Sequence, residues 1–296
     1  MNTQPATQES QWDKWIGNSE SRTDTLTAAP IAAMAATLDK APMQISAGTV
    51  VPALWHWLYF LPAAAQSELA ADGHPRKGDF LPPIDLPRRM WAGSRLQFHQ
   101  ALRVGESITR ISTIKSIKLK RGRSGQLAFV CVGHQISGER GLSIYEEHDI
   151  VYRENAAANA NPASTTSSSG KLAPAQAEFG KTISPDPVLL FRYSALTFNG
   201  HRIHYDRDYA NKVEGYPGLV VHGPLLASLL VDLIVENLPD YNLGGFEFRA
   251  IQPVFDLNDF KVCGTRPDND GVVKVWIQNH EGMLCMEATA TGGGAQ

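Results

Sequence analysis

The chain has 296 residues, 43% hydrophobic and 19% charged, so it can bury a sizeable core and is neither disordered nor a disulfide-stapled miniprotein. Its net charge of −3 lacks the excess of Lys and Arg with which nucleic-acid binders neutralise phosphates, and no nucleic-acid partner is expected. Three cysteines, an odd count set in apolar or alternating stretches, and a polar Met1–Ser10 without signal-peptide order predict a reducing, cytoplasmic location.

In chain order, Ala28 to Leu38 is Ala-rich and reads as a helix, with Pro30 tolerable in its first turn. Trp55 and Tyr59 stand at helical spacing and read as core fillers. Strands follow at Ser107–Leu119, Leu127–Ile136 and Leu142–Tyr152, with Gly122, Gly125, Gly138 and Gly141 supplying the turns. From Asn155 to Gln176 hardly any large apolar residue occurs, and such a segment cannot offset its own ordering entropy. It predicts a flexible linker, 155–176, between a first unit (1–154) and a second (177–296).

Beyond the linker, Pro224–Asn237 places Leu225, Leu226, Leu229, Leu230, Leu233 and Ile234 on one stripe, with Asp232 and Glu236 opposite. This predicts the strongest helix, with Pro224 in its first turn and Pro239 as its stop. The surrounding apolar stretch, Leu219–Val235, holds His222, Gly223, Pro224 and Asp232, which lipid tolerates poorly, so no membrane partner is expected. Phe246–Phe255, Phe260–Thr265, Val272–Asn279 and Met283–Thr291 read as four further strands. Each unit runs from helix to strands, an α+β order in which a helix laid on an antiparallel sheet buries both apolar faces.

Two runs carry chemistry. Phe191–Ala210 crowds Tyr193, Asn199, His201, His204, Tyr205, Asp206 and Asp208 into one short segment. Gly215–Leu226 turns at His222-Gly223-Pro224 into the strong helix, whose first N–H groups, around Gly223 and Leu225, are left to bind a developing negative charge. His201 and His204 have no Glu between them and no third ligand at metal-site spacing, so no metal is expected. Phosphate-binding and dinucleotide glycine motifs are absent, as is a GxSxG elbow, which argues against a nucleotide cofactor and against a serine hydrolase. Arg110 to Arg123, including Arg121, has no acidic neighbour and offers a docking rim for phosphates, while Arg88, Arg89 and Arg95 surround Trp91 and could fork a carboxylate.

Asn199 and His204, five positions apart, followed by Leu219–Leu230, resemble the MaoC-like hydratases and dehydratases of the hotdog fold, which carry an Asp and a His at that spacing before a helix opening with VHGPLLASL. WIGNSESRTDTL near residue 15, GDFLPPIDLPRRMWAGSRLQF from Gly78 and FRYSALTFNGHRIHYD look like the mesaconyl-C4-CoA and itaconyl-CoA hydratases. The second of these motifs is similar to one in the type-2 hydroxyacyl-thioester dehydratases. The resemblance implies a double hotdog: two units, each an antiparallel sheet wrapped on a central helix, the first catalytically degenerate. It implies reversible hydration of an α,β-unsaturated acyl-CoA, a short branched dicarboxylic one, by a homodimer that needs no cofactor because coenzyme A enters with the substrate.

In that reaction His204 is the expected general base and acid, with Asp206 in reserve. Asn199, standing where the relatives have Asp, would orient the water, and the N–H groups of Gly223 and Leu225 would hold the enolate oxygen. Tyr193, His201 and Arg202 are the expected substrate contacts, Arg88 and Arg89 those of a second carboxylate, and Arg121 and Arg123 those of the coenzyme A phosphates. The alternatives are a 3-hydroxyacyl-thioester dehydratase of fatty-acid metabolism, a hotdog thioesterase, and a non-catalytic acyl-CoA sensor.

Overall fold

The computed structural model describes residues 11–42, 44–122, 125–154 and 170–293. Met1–Ser10, Arg123 and residues 155–169 of the expected linker lie outside them. The remainder of that linker is tied down: Ala173 N–H donates to Gly282 O (3.0 Å), and Leu284 N–H to Lys171 O (2.9 Å).

Among the described residues, ten strands form one antiparallel sheet: β1 (Ser19–Thr25), β2 (Arg88–Phe98), β3 (Ser107–Gly122), β4 (Gly125–Gly138), β5 (Gly141–Arg153), β6 (Phe179–Ile183), β7 (Leu243–Ala250), β8 (Phe260–Gly264), β9 (Val273–Gln278) and β10 (Leu284–Gly292). Their order is β1-β3-β4-β5-β2-β7-β10-β9-β8-β6. The first five strands and the last five therefore follow the same internal plan, joined where β2 pairs with β7 from Gly93↔Arg249 to Gln97↔Gly245. The four strands expected after the long helix are β7 to β10, although β7 stops at Ala250, shortly before Pro253, which has no N–H to give a ladder.

Among the described residues, four helices accompany the sheet: α1 (Ala28–Thr37), α2 (Pro187–Leu196), α3 (Arg207–Lys212) and α4 (Gly223–Asn237). The leucine stripe of α4 is buried from Leu225 to Ile234 and packs on β6, β8, β9 and β10. Asp232, expected on the polar side, is buried and held by Lys40 Nζ at 3.0 Å, while Glu236 binds the same ammonium at 2.8 Å. That pair of contacts pins the chain just after α1 to the helix of the other half.

The corresponding position in the first half is different. Val50 bridges to Arg103 as Val220 bridges to Phe255, so both chains enter the same place in their half. After Val220 the chain winds into α4; after Val50, Pro52 and a left-handed Leu54 (φ 70°) leave only the 3-10 turn Trp55–Leu58. A short turn covers less sheet than a fifteen-residue helix, and the uncovered face becomes part of a pocket.

Candidate active site

The N-terminus of α4, the segment from α2 to α3 and a loop of the first half meet at one place. His204 ends a 3-10 turn, 8% exposed, and its Nδ1–H donates to Val220 O at 2.7 Å. That bond fixes the tautomer and leaves Nε2 as the unprotonated nitrogen. The ring stacks on His222 with centroids 3.7 Å apart and planes 18° from parallel. His222, the N-cap of α4, is fully buried and shares a 2.8 Å hydrogen bond between Nε2 and Ser194 Oγ. Burial pushes the His204 imidazolium down to about 4, and burial beside His204 and His201 holds His222 well below its ordinary value, so both rings are neutral near pH 7.

A pocket of about 880 Å³ opens here, walled by His204's chain neighbours Asn199, Gly200, Arg202 and Tyr205, by Ser194, and by Pro224 at the mouth of α4. Asn199 caps its own turn, accepting from His201 N–H at Oδ1 (3.0 Å). As the first and third residues of α4, Gly223 and Leu225 have no intrahelical partner for their N–H groups. A Cβ at Gly223 would meet nothing within 4 Å, so the space before the helix end is open.

Of the other expected contacts, Tyr193, Arg202 and Arg89 line the pocket, while Leu225, Arg88, Arg95 and Arg121 are not among its walls. Leu225 is fully buried, so its side chain makes no substrate contact. The Tyr193 ring is buried 4.9 Å from His222 and props that histidine from behind. Arg202 grips Asp206 (2.7 and 3.0 Å) and Ala71 O (3.1 Å), and Asp206 also caps α3 through Tyr209 N–H (3.0 Å), which removes it as a reserve proton carrier. Successive strand residues face opposite ways, so only one of Arg88 and Arg89 can reach the pocket. Arg89 does, whereas Arg88 binds Glu214 (3.3 Å). Arg95 is held outside by Glu147 (3.0 Å) and Asp149 (2.6 Å), and Arg121 is exposed at the β3–β4 hairpin end, away from the pocket wall.

The structure adds residues that the sequence reading passed over. Ser194 is one; Asp72 and His74, from the first half, are the others. Arg202 N–H donates to Asp72 O (2.9 Å), and Gly73 lies so close to Gly200 that a Cβ there would stand 1.8 Å from its carbonyl oxygen. The His74 ring then sits 4.1 Å from His201, whose ring meets His204 edge-on at 5.5 Å. Burial disfavours charge on Asp72, yet hydrogen bonds from His74 (3.1 Å to the ring) hold its carboxyl well below the usual range. Asp72, His74 and His201 each bring one metal-ligating atom within 4.8 Å of the others, the one such group among the described residues, but Asp72 and His74 are already bonded to each other. Read together, these residues form a histidine shell around His204, continued to a partly exposed carboxylate.

A family model described as hydroxyacyl-thioester dehydratase type 2 matches residues 54–256. The chain is 47% identical, over 96% of its length and 98% of the relative's, to mesaconyl-C(4)-CoA hydratase of Chloroflexus aurantiacus. It is 29% identical, over 75% of its length and 79% of the relative's, to the mitochondrial hydroxyacyl-thioester dehydratase type 2 of Schizosaccharomyces pombe. The fold is similar to that of HtdX from Mycobacterium tuberculosis, with a TM-score of 0.62 at 15% identity, covering 93% of this chain and all of that one. The mitochondrial relative corrects the expected cytoplasmic location: buried free thiols, on which that expectation partly rested, do not tell one reducing compartment from another. Among the described residues no helix is long and apolar enough to cross a membrane.

Proposed function

Because this chain belongs to the hydroxyacyl-thioester dehydratase type 2 family, hydro-lyases of the MaoC-like double-hotdog class, we propose that it reversibly hydrates a short branched dicarboxylic enoyl-CoA such as mesaconyl-C4-CoA. The near full-length similarity to a mesaconyl-C(4)-CoA hydratase supports the substrate class. The observation that carries the chemistry is the buried, neutral His204 with its proton fixed on Nδ1, beside the open N-terminus of α4.

An amide cannot exchange a proton at working pH, so Asn199 positions water and His204 alone carries the proton. His204 Nε2 takes a proton from water as the water oxygen bonds to the β-carbon. The electron pair of the double bond moves toward the thioester carbonyl, whose oxygen is held by the N–H groups of Gly223 and Leu225 and by the positive end of α4. The imidazolium then returns the proton to the α-carbon, and dehydration is the reverse. Addition of water is redox-neutral, so the reaction calls for no cofactor; coenzyme A arrives as part of the substrate. His222, locked by Ser194, holds the His204 ring in place by stacking.

The division into units 1–154 and 177–296 and a homodimeric assembly remain parts of this proposal, the latter favoured by the two outer strands, β1 and β6, that end the sheet. The test is to incubate the protein with mesaconyl-C4-CoA and follow enoyl absorbance and free thiol together. Loss of absorbance without thiol supports hydration; thiol release means a thioesterase, and binding without turnover a sensor.

A further inference from the structure

The part of the pocket supplied by the first half carries a charge cluster that the steps above do not use. In the second half the core-facing side chains of β7 to β10, among them Phe246, Phe248, Val262, Val275, Ile277 and Ala288, are apolar and join one core with α4. On the face of the first half left uncovered by the 3-10 turn, Arg110 and Ser112 stand on β3, His134 on β4, and Glu146 and His148 on β5. Ser112, His134 and Glu146 are cross-strand partners in one row, and Arg110 and His148 lie two residues along, so all five share that face. Charge on such a face is costly to bury without a partner or a ligand.

Glu146 is 1% exposed, and its two oxygens accept from Trp57 Nε1 (3.2 Å each), His56 Nε2 (3.1 Å) and His148 Nε2 (2.5 Å). Burial opposes its charge, yet the two histidines hold its carboxyl well below the usual range. Its negative charge is thus enclosed by its own donors. His148 keeps 20% of its side chain exposed, lies 4.2 Å from the Trp91 ring and lines the pocket. Arg110 lines the same pocket; its Nε is buried without a hydrogen-bond partner, and its ion pair with Glu20 is a loose 3.9 Å contact. The Arg110 guanidinium, with a donor to spare, and the His148 imidazole therefore border a chamber that the other half fills with a helix.

We propose that Arg110 and His148 form the receptor for a carboxylate carried by the acyl group, so that the pocket selects dicarboxylic acyl thioesters over fatty ones. The proposal rests on the hydro-lyase reading and deepens it by naming the residues that set substrate class. A guanidinium with a free edge suits the two oxygens of a carboxylate, and an apolar acyl chain would strip water from Arg110 and offer nothing in return.

The test compares two saturated four-carbon thioesters, which have no double bond to hydrate and differ in the terminal carboxylate, freshly prepared succinyl-CoA and butyryl-CoA, by calorimetric binding. Wild-type protein should bind succinyl-CoA at least thirtyfold more tightly, and Arg110→Met should bring the two dissociation constants within about threefold of each other. His148→Gln carries the same expectation should Arg110→Met fail to bind butyryl-CoA at all. A wild-type preference below threefold, a preference that survives both substitutions, or one that is lost only in Arg89→Met overturns the receptor. Mesaconyl-C4-CoA hydration is measured alongside. Turnover without the preference removes the receptor and leaves the hydro-lyase reading, while the preference without turnover removes that reading and leaves the receptor.

Discussion

His204 must be neutral to take a proton from water, and its burial lowers the pH at which that fails. Neutral base is lost as pH falls through the folded-state value of about 4, not through the ordinary histidine value near 6.5. The acid limb of a kcat profile should therefore lie near pH 4; a limb near 6.5 would show that His204 is solvated or is not the base. Gly73 tests the shell around it. With φ at +89° and the Gly200 carbonyl 1.8 Å from any Cβ, Gly73→Ala should unseat the loop that brings Asp72 and His74 to His201. A fall of at least tenfold in kcat is expected, with no change in kcat as the contrary result. His204 and Asn199 were legible because five residues separate them and a helix signature follows. Asp72 and His74 were not, since no periodicity links a turn in the first half to a histidine more than a hundred residues later, and Ser194 looks like any helix serine until the fold brings it to His222.

Among the elements, α4 was the most legible because its leucines repeat at the helical period, and its observed start at Gly223 is one residue ahead of the expected one. Its stability role follows from the same stripe. Leu230 is fully buried, and Leu230→Ala should cost about 3 kcal/mol, read as a lowered midpoint in urea with an unchanged slope. A loss under about 1 kcal/mol would mean that α4 does not anchor the second half. β1, β2, β6 and α2 were not read as elements. β1 (SESRTDT) is a polar edge strand with no apolar alternation to betray it. In β2, the Pro-rich approach from Leu81 to Pro87 and Gly93 hide a strand inside loop-like composition. α2 overlaps the start of the Phe191–Ala210 run, whose titratable residues read as chemistry, though its Asp186 cap and Pro187, just ahead of that run, are ordinary helix-start signals.

For the whole molecule, the buried histidines at and around the site make the fold acid-sensitive. His74, His134, His204 and His222 all protonate less readily when folded, so between the folded value, about 4 for His204, and the ordinary 6.5 the unfolded chain binds more protons. Stability must fall as pH drops through that window. The carboxylates of Asp72 and Glu146, held low, add stability that is lost at still lower pH, and the raised carboxyl of Asp232 opposes the trend alone among the buried acids named here. The melting temperature should therefore be lower at pH 5 than at pH 7; an equal or higher value at pH 5 would contradict the burial of neutral histidines. The two halves share one sheet but divide the labour, the second presenting His204 and the end of α4 and the first lending Asp72, His74 and the uncovered chamber. The most direct test of this account is turnover of mesaconyl-C4-CoA by the wild-type protein and by His204→Ala at pH 7, with enoyl absorbance and free thiol recorded together. The account predicts rapid loss of absorbance without thiol in the wild type and a rate at least a hundredfold lower in the variant, with acyl-CoA binding retained. A His204→Ala protein that keeps more than a tenth of wild-type kcat would contradict it.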